Sequence, residues 1–160
     1  MIRNGILDWD SYFMAMAHLS AKRSKDPNTK VGAVIVDELH HIVGIGYNGL
    51  PVGCDDNEFP WEREGEFCDT KYPYVVHAEL NAILNSIKNL HGCVLYVSLF
   101  PCNECAKAII QSGIRKIVYE SDKYADSDTT KASKRMLKAA GVELYQLPYS
   151  IKIEVNENEN

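Results

Sequence analysis

Between Cys93 and Leu147 the chain alternates strand, helix, strand, helix, strand. CVLYVSLF (93–100), IRKIVYE and VELYQL are apolar, β-branched runs, while ECAKAIIQSG and TTKASKRMLKAAG carry helical spacing and close on Gly113 and Gly141. Few architectures accept that order. Parallel strands need crossover connections, and right-handed helical crossovers cover the faces of the sheet they join, so this half of the chain is expected to be α/β with a parallel sheet.

Upstream, VGAVIVD (31–37) and HIVGIGYN (41–48) flank ELHH and read as an antiparallel hairpin. A first amphipathic helix is expected from Trp9 to about Lys25, capped by Asp10 or Ser11, with Tyr12, Met16 and Leu19 on its buried stripe. A further helix is expected in VHAELNAILNSIKNL, with Leu80, Ile83, Leu84 and Ile87 inward. Residues 49–73 have no clear period and read as a long functional loop or insertion. The polar ending EVNENEN suggests a frayed tail over 149–160, leaving 1–148 as one domain.

At 160 residues one compact domain is the expectation. The net charge of −5 argues against a sequence-independent grip on nucleic acid, which rests on Lys and Arg contacts to phosphate. No apolar run approaches the ~20 residues that cross a bilayer, and MIRNGILDWD lacks a secretory layout, so no membrane association and a soluble, cytoplasmic protein are expected. Five cysteines, an odd number, then favour metal binding or burial over a disulfide framework.

The chemistry concentrates in two short stretches. PCNEC places Cys102 and Cys105 after a strand and on the first turn of a helix, where thiolate is favoured over thiol. His77 holds the matching place on the preceding helix, and the topology brings the two helix starts together at the carboxyl edge of the sheet. One imidazole and two thiolates make three ligands, the number at a catalytic zinc that keeps a fourth position for water. Glu79 lies about 200° round the helix from His77, so it stands beside the ligand set and is placed to move protons at that water. A lone C-x-x-C also suits a structural metal site or a redox pair; the combined H-A-E and P-C-x-x-C spacing matches the signature of zinc-dependent nucleobase deaminases. Cys93 reads as buried, and Cys54 and Cys68 as loop residues or a second metal site.

RSKDPNTKVGAVIVD, IVGIGYNGLPVGC, DTKYPYVVHAELNAI, YVSLFPCNECAKAIIQSGI and SDKYADS together resemble the deoxycytidylate (dCMP) deaminases of animals, large DNA viruses and phages, over about residues 9 to 148. The resemblance implies a cytidine-deaminase-like three-layer α/β/α sandwich with a five-stranded mixed sheet, and hydrolysis of dCMP to dUMP and ammonia, feeding thymidylate synthesis. It further implies one catalytic Zn2+ per chain, a hexamer, activation by dCTP, and inhibition by dTTP with Mg2+. His77, Cys102 and Cys105 match the family's zinc ligands and Glu79 its proton carrier. Asn48 matches a sugar-contacting asparagine, and Arg23, Lys123 and Tyr124 fall in segments near the nucleotide phosphate. Asn28, Lys30, Gly46, Asn48 and Gly49 fall in the effector segment. KDPNT has no cysteine where some phage members bind a second, structural zinc, so that site is not carried over.

Three rivals follow from the same residues: a deaminase that also accepts dCTP, a nucleic-acid editor using the same zinc pocket, and a non-catalytic zinc-stabilised subunit. A structural site would have no use for Glu79.

Overall fold

A computed structural model gives the structure of the protein and describes residues 2–156. A two-residue hairpin, β1 (Ile2–Arg3) and β2 (Ile6–Leu7), leads into α1 (Trp9–Ala21). The main sheet is built from β3 (Gly32–Val36), β4 (Ile42–Tyr47), β5 (Val94–Leu99), β6 (Lys116–Ser121) and β7 (Glu143–Gln146), in the order β4-β3-β5-β6-β7. β3 runs antiparallel to both β4 and β5, while β5, β6 and β7 are mutually parallel. This is the expected mixed sheet. α2 (Ala78–Leu84), α3 (Asn103–Gln111) and α4 (Asp128–Ala139) complete the fold.

Alternation along the central strands divides the core into two layers. Ala33, Ile35, Leu95, Val97 and Ile117 face Ala82, Ala106, Ile109 and Leu137 of α2, α3 and α4. Val34, Val36, Val94, Tyr96 and Val118 face Phe13, Met14 and Ala17 of α1. A sheet covered on both faces needs strands apolar at every position, and that is why β3 and β5 read as unbroken apolar runs. The result is the α/β/α sandwich, with α1 alone on one side.

Three expectations about α1 are corrected. Asp8, not Asp10 or Ser11, caps α1 by accepting the Ser11 N–H at 2.7 Å; Asp10 instead accepts from the Tyr96 hydroxyl at 2.8 Å. The helix ends at Ala21, and Lys22, Arg23 and Ser24 bond back to Leu19, Ser20 and Ala21 in a tightened last turn. Its buried face is Ser11, Phe13, Met14, Ala17, Ser20 and Ala21, leaving Tyr12 and Leu19 exposed. Small residues win that face because the helix lies almost on the strand: a Cβ at Gly32 would fall 1.8 Å from the Ala17 carbonyl oxygen.

The helix expected through Ile87 stops at Leu84, and the chain turns so that the Ile87 N–H reaches the Val43 carbonyl at 3.1 Å, leaving Leu84 and Ile87 exposed. At the far end, the Tyr149 hydroxyl meets Ser11 Oγ at 2.8 Å, and the Ile151 N–H donates to Glu120 at 2.9 Å. Both side chains pack on the α1 side of the core, so the frayed segment does not start at 149. Residues 157–160 of the expected tail lie outside the described residues.

Candidate active site

The parallel strands deliver the site at their carboxyl ends. After β5, the Phe100 N–H pairs with the Ser121 carbonyl at 2.8 Å, and its ring meets Tyr119 edge-on at 4.7 Å. Those contacts fix where Pro101 and Cys102 leave the sheet. Cys102 is the N-cap residue of α3, and His77 is the N-cap residue of α2, both with extended backbone. Neither side chain makes a capping hydrogen bond to its own helix, so both are free to turn toward each other.

They do so. Cys102 Sγ and Cys105 Sγ lie 3.4 and 3.5 Å from His77 Nδ1. The three donor atoms fall within 4.8 Å of one another, the one such cluster of His, Cys, Asp or Glu among the described residues. A tetrahedral zinc with ordinary Zn–N and Zn–S bonds has an N···S edge of about 3.6 Å, so the donors fit that metal. The protonation chemistry fits as well. The Cys105 hydrogen bond, with help from His77 and against burial, holds Cys102 down to about 4. The bond to Cys102 lifts His77 to about 9 against burial, and the same thiol pairing together with burial pushes Cys105 up. Three lone pairs converge on one point and compete for protons there; a divalent cation that accepts all three removes the competition.

Glu79 stands beside this cluster on the first turn of α2, 4% exposed and with no ion-pair partner among the described residues. Burial pushes its carboxyl up, and the neighbouring His77 opposes the shift. A carboxyl with a raised pKa can both take and return a proton near neutrality.

His77, Glu79 and Cys102 open onto a cavity of about 460 Å³. Asn48 and Tyr124 also line it. Asn48 is largely committed to the protein: its oxygen accepts from the Val31 N–H at 2.8 Å, and its amide donates to the Thr29 carbonyl at 2.9 Å and to Asp26 at 3.4 Å. Arg23 is exposed and does not line the cavity; Lys123 is exposed, with its ammonium 5.0 Å from the Tyr124 ring centroid.

The residues expected in an effector segment are spread out. Asn28 borders a shallow cleft with Trp61 and Arg63, whereas Lys30 borders another with His18 and Ile151. Gly49 pairs with Val76 as an isolated bridge. Gly46 lies under α2, where a Cβ would come 2.4 Å from Ala82 N and 2.5 Å from the Ala78 carbonyl oxygen.

The cavity also holds residues that sequence reasoning did not single out: Asp26, Lys71, Arg63, Tyr72 and Thr29. Asp26 accepts from the Asn28 and Thr29 backbone N–H groups at 2.8 and 3.1 Å, and from Lys71 Nζ at 2.5 Å. They come from aperiodic stretches, and nothing local in the sequence announces a pairing across the fold.

Residues 7–121 match the model of the cytidine and deoxycytidylate deaminase zinc-binding region. A deoxycytidylate deaminase of Homo sapiens is 58% identical over 142 residues, covering 88% of this chain and 80% of the human protein. A probable deoxycytidylate deaminase of Drosophila melanogaster is 59% identical over 148 residues, covering 88% of this chain and 73% of the fly protein. Among solved structures, the dCMP deaminase of cyanophage S-TIM5 in complex with dCMP and dUMP matches with a TM-score of 0.71 at 28% identity, over 92% of this chain and 100% of the phage chain.

Proposed function

This chain belongs to the cytidine and deoxycytidylate deaminase family, and on that premise we propose that it catalyses hydrolytic deamination of dCMP to dUMP and ammonia. The observation that carries the reading is Glu79: a buried carboxyl without an ion-pair partner among the described residues, beside three donors that fit zinc and leave a fourth position. A structural zinc site has no need of such a group.

His77, Cys102 and Cys105 would hold the zinc. When bound, the metal lowers the pKa of a coordinated water toward ~7. Glu79 takes a proton from the attacking water as its oxygen adds to C4 of the cytosine, and delivers a proton to ring N3. The water's second proton leaves with the amine as ammonia, so atoms and charge balance. The cavity wall around Asn48 and Tyr124 holds the sugar and phosphate, and the α2 and α3 N-caps fix the donors in register with Glu79.

In the fuller reading the enzyme works in the cytoplasm as a hexamer, its dUMP supplies thymidylate synthesis, dCTP activates it and dTTP with Mg2+ inhibits it. That reading rests on the resemblance of the segments flanking the zinc motif. No described helix is long and apolar enough to cross a membrane.

The deciding experiment measures initial deamination rates of the zinc-loaded protein on dCMP, deoxycytidine, dCTP and a cytosine-containing oligonucleotide. A clear preference for dCMP is expected. Equal rates on dCTP or on the oligonucleotide would replace the substrate assignment while leaving the zinc chemistry standing.

A further inference from the structure

Two cations line the cavity, and they are differently employed. Lys71 is committed to Asp26, both side chains buried. Arg63 has no carboxylate within ion-pair range among the described residues. Its Nε reaches Tyr72 Oη at 3.5 Å, the long limit of a hydrogen bond, and the guanidinium also interacts with the Tyr124 phenol.

Although Arg63 comes from the irregular 49–73 segment, its place is well held. The Lys71 N–H donates to the Glu62 carbonyl at 3.0 Å, the Asn28 side-chain amide to the Trp61 carbonyl at 3.2 Å, and the Trp61 indole N–H to the Asp56 carbonyl at 3.1 Å. The charge is thus presented on an anchored backbone.

Its neighbourhood favours an anion. Burial pushes the Tyr124 phenol up, but Lys123, a hydrogen bond from Thr29, and Arg63 outweigh it and bring the phenol below its ordinary value. A local field that favours phenolate also favours phosphate. Ser127 and Thr129, at the start of α4, line the same cavity, and the Ser127 hydroxyl donates to the Tyr124 carbonyl at 2.8 Å.

We infer that Arg63 is the specificity-determining cation of this enzyme, engaging the 5′-phosphate of the nucleotide beside the Tyr124 hydroxyl and thereby separating nucleoside monophosphates from nucleosides. The inference rests on the dCMP reaction proposed above. Arg23 and Arg63 are both exposed, but of the two only Arg63 lines the cavity, so the role moves from Arg23 to this guanidinium, whose planar fork matches phosphate oxygens in pairs.

The test compares the zinc-loaded wild type with Arg63→Ala and Arg63→Lys. Two ratios are read: kcat/KM for dCMP over deoxycytidine, and affinity for dUMP over deoxyuridine by calorimetry. Loss of a charge-assisted hydrogen bond should lower both ratios by about 10- to 100-fold in Arg63→Ala, with partial recovery in Arg63→Lys. Zinc content and melting temperature check the fold; if Arg63→Ala loses metal, Arg63→Gln, which retains the stem, takes its place. Ratios that stay at the wild-type value overturn the assignment while leaving the dCMP reaction intact. A wild type that shows no preference for dCMP over deoxycytidine overturns the reaction itself, and the role of Arg63 with it.

Discussion

Asp26 and Lys71, 45 residues apart in the chain, form an ion pair in the wall of the cavity that Glu79 lines, with side chains 2% and 10% exposed. Asp26 also gathers Asn48 and two backbone N–H groups, so one carboxylate ties the 24–31 turn, the end of β4 and the long loop into a single wall. Removing one partner leaves the other buried and unpaired. Lys71→Met should therefore destabilise the fold by about 3–5 kcal/mol in chemical denaturation, whereas Asp26→Asn combined with Lys71→Met should recover much of the loss. Equal costs for the single and double variants would show that the pair is not the linking element.

Glu79 and Cys102 should separate cleanly in function. Glu79→Gln preserves size and leaves the donors untouched, so zinc stays bound while kcat falls by about 10²- to 10⁴-fold, the usual worth of a positioned acid–base group. Cys102→Ala removes one donor of three, and metal analysis should find zinc lost together with activity. A Glu79→Gln enzyme with normal kcat would end the proton-carrier role, and a Cys102→Ala enzyme with full zinc would end the ligand assignment.

How much of this was legible in the sequence depends on the range of each interaction. The strands were plain, because a sheet covered on both faces makes every residue of Gly32–Val36 buried. The buried stripe of α1 was not, since the 4-then-3 spacing of the large residues Tyr12, Met16 and Leu19 points to the wrong face, while the close approach at Gly32 selects the small residues Ala17, Ser20 and Ala21. The end of α2 was obscured because Ile87 continues the apolar spacing although its N–H is drawn to Val43. In the site, H-A-E and P-C-x-x-C are local spacings set on helix starts and can be read along the chain. Arg63, Lys71 and Asp26 act through contacts across the fold, which no local period encodes.

Gly46 offers a test of that distinction, since its sequence neighbourhood resembles an effector segment and its structural surroundings are the backbone of α2. A Cβ there would meet Ala82 N at 2.4 Å and the Ala78 carbonyl oxygen at 2.5 Å, both too close and both unable to rotate away. Gly46→Ala must shift α2 and with it His77 and Glu79. A stability loss of about 1–3 kcal/mol and weaker zinc retention under chelator challenge are expected, with or without dCTP. A variant with normal stability and zinc content that has lost only its response to dCTP would return Gly46 to the effector role.

Asp37 supplies an acid-sensitive lock at the β3–β4 turn. Its Oδ1 accepts the Leu39 and His41 backbone N–H groups at 3.0 and 2.9 Å, and its Oδ2 faces Lys88 Nζ at 3.0 Å and His41 Nδ1 at 3.2 Å. The His41 backbone hydrogen bond, then Lys88 and Leu39, outweigh burial and hold the carboxyl well below its ordinary 3.8. A carboxyl depressed in the folded state stabilises the fold fully above its unfolded value, and that contribution drains as pH falls toward the folded value. The difference in unfolding free energy between wild type and Asp37→Asn should therefore hold steady down to about pH 4 and shrink below it. Zinc release at low pH is common to both proteins and cancels in the difference. A difference that stays constant or grows as pH falls below about 4 would mean that the ionised carboxylate does not hold this turn.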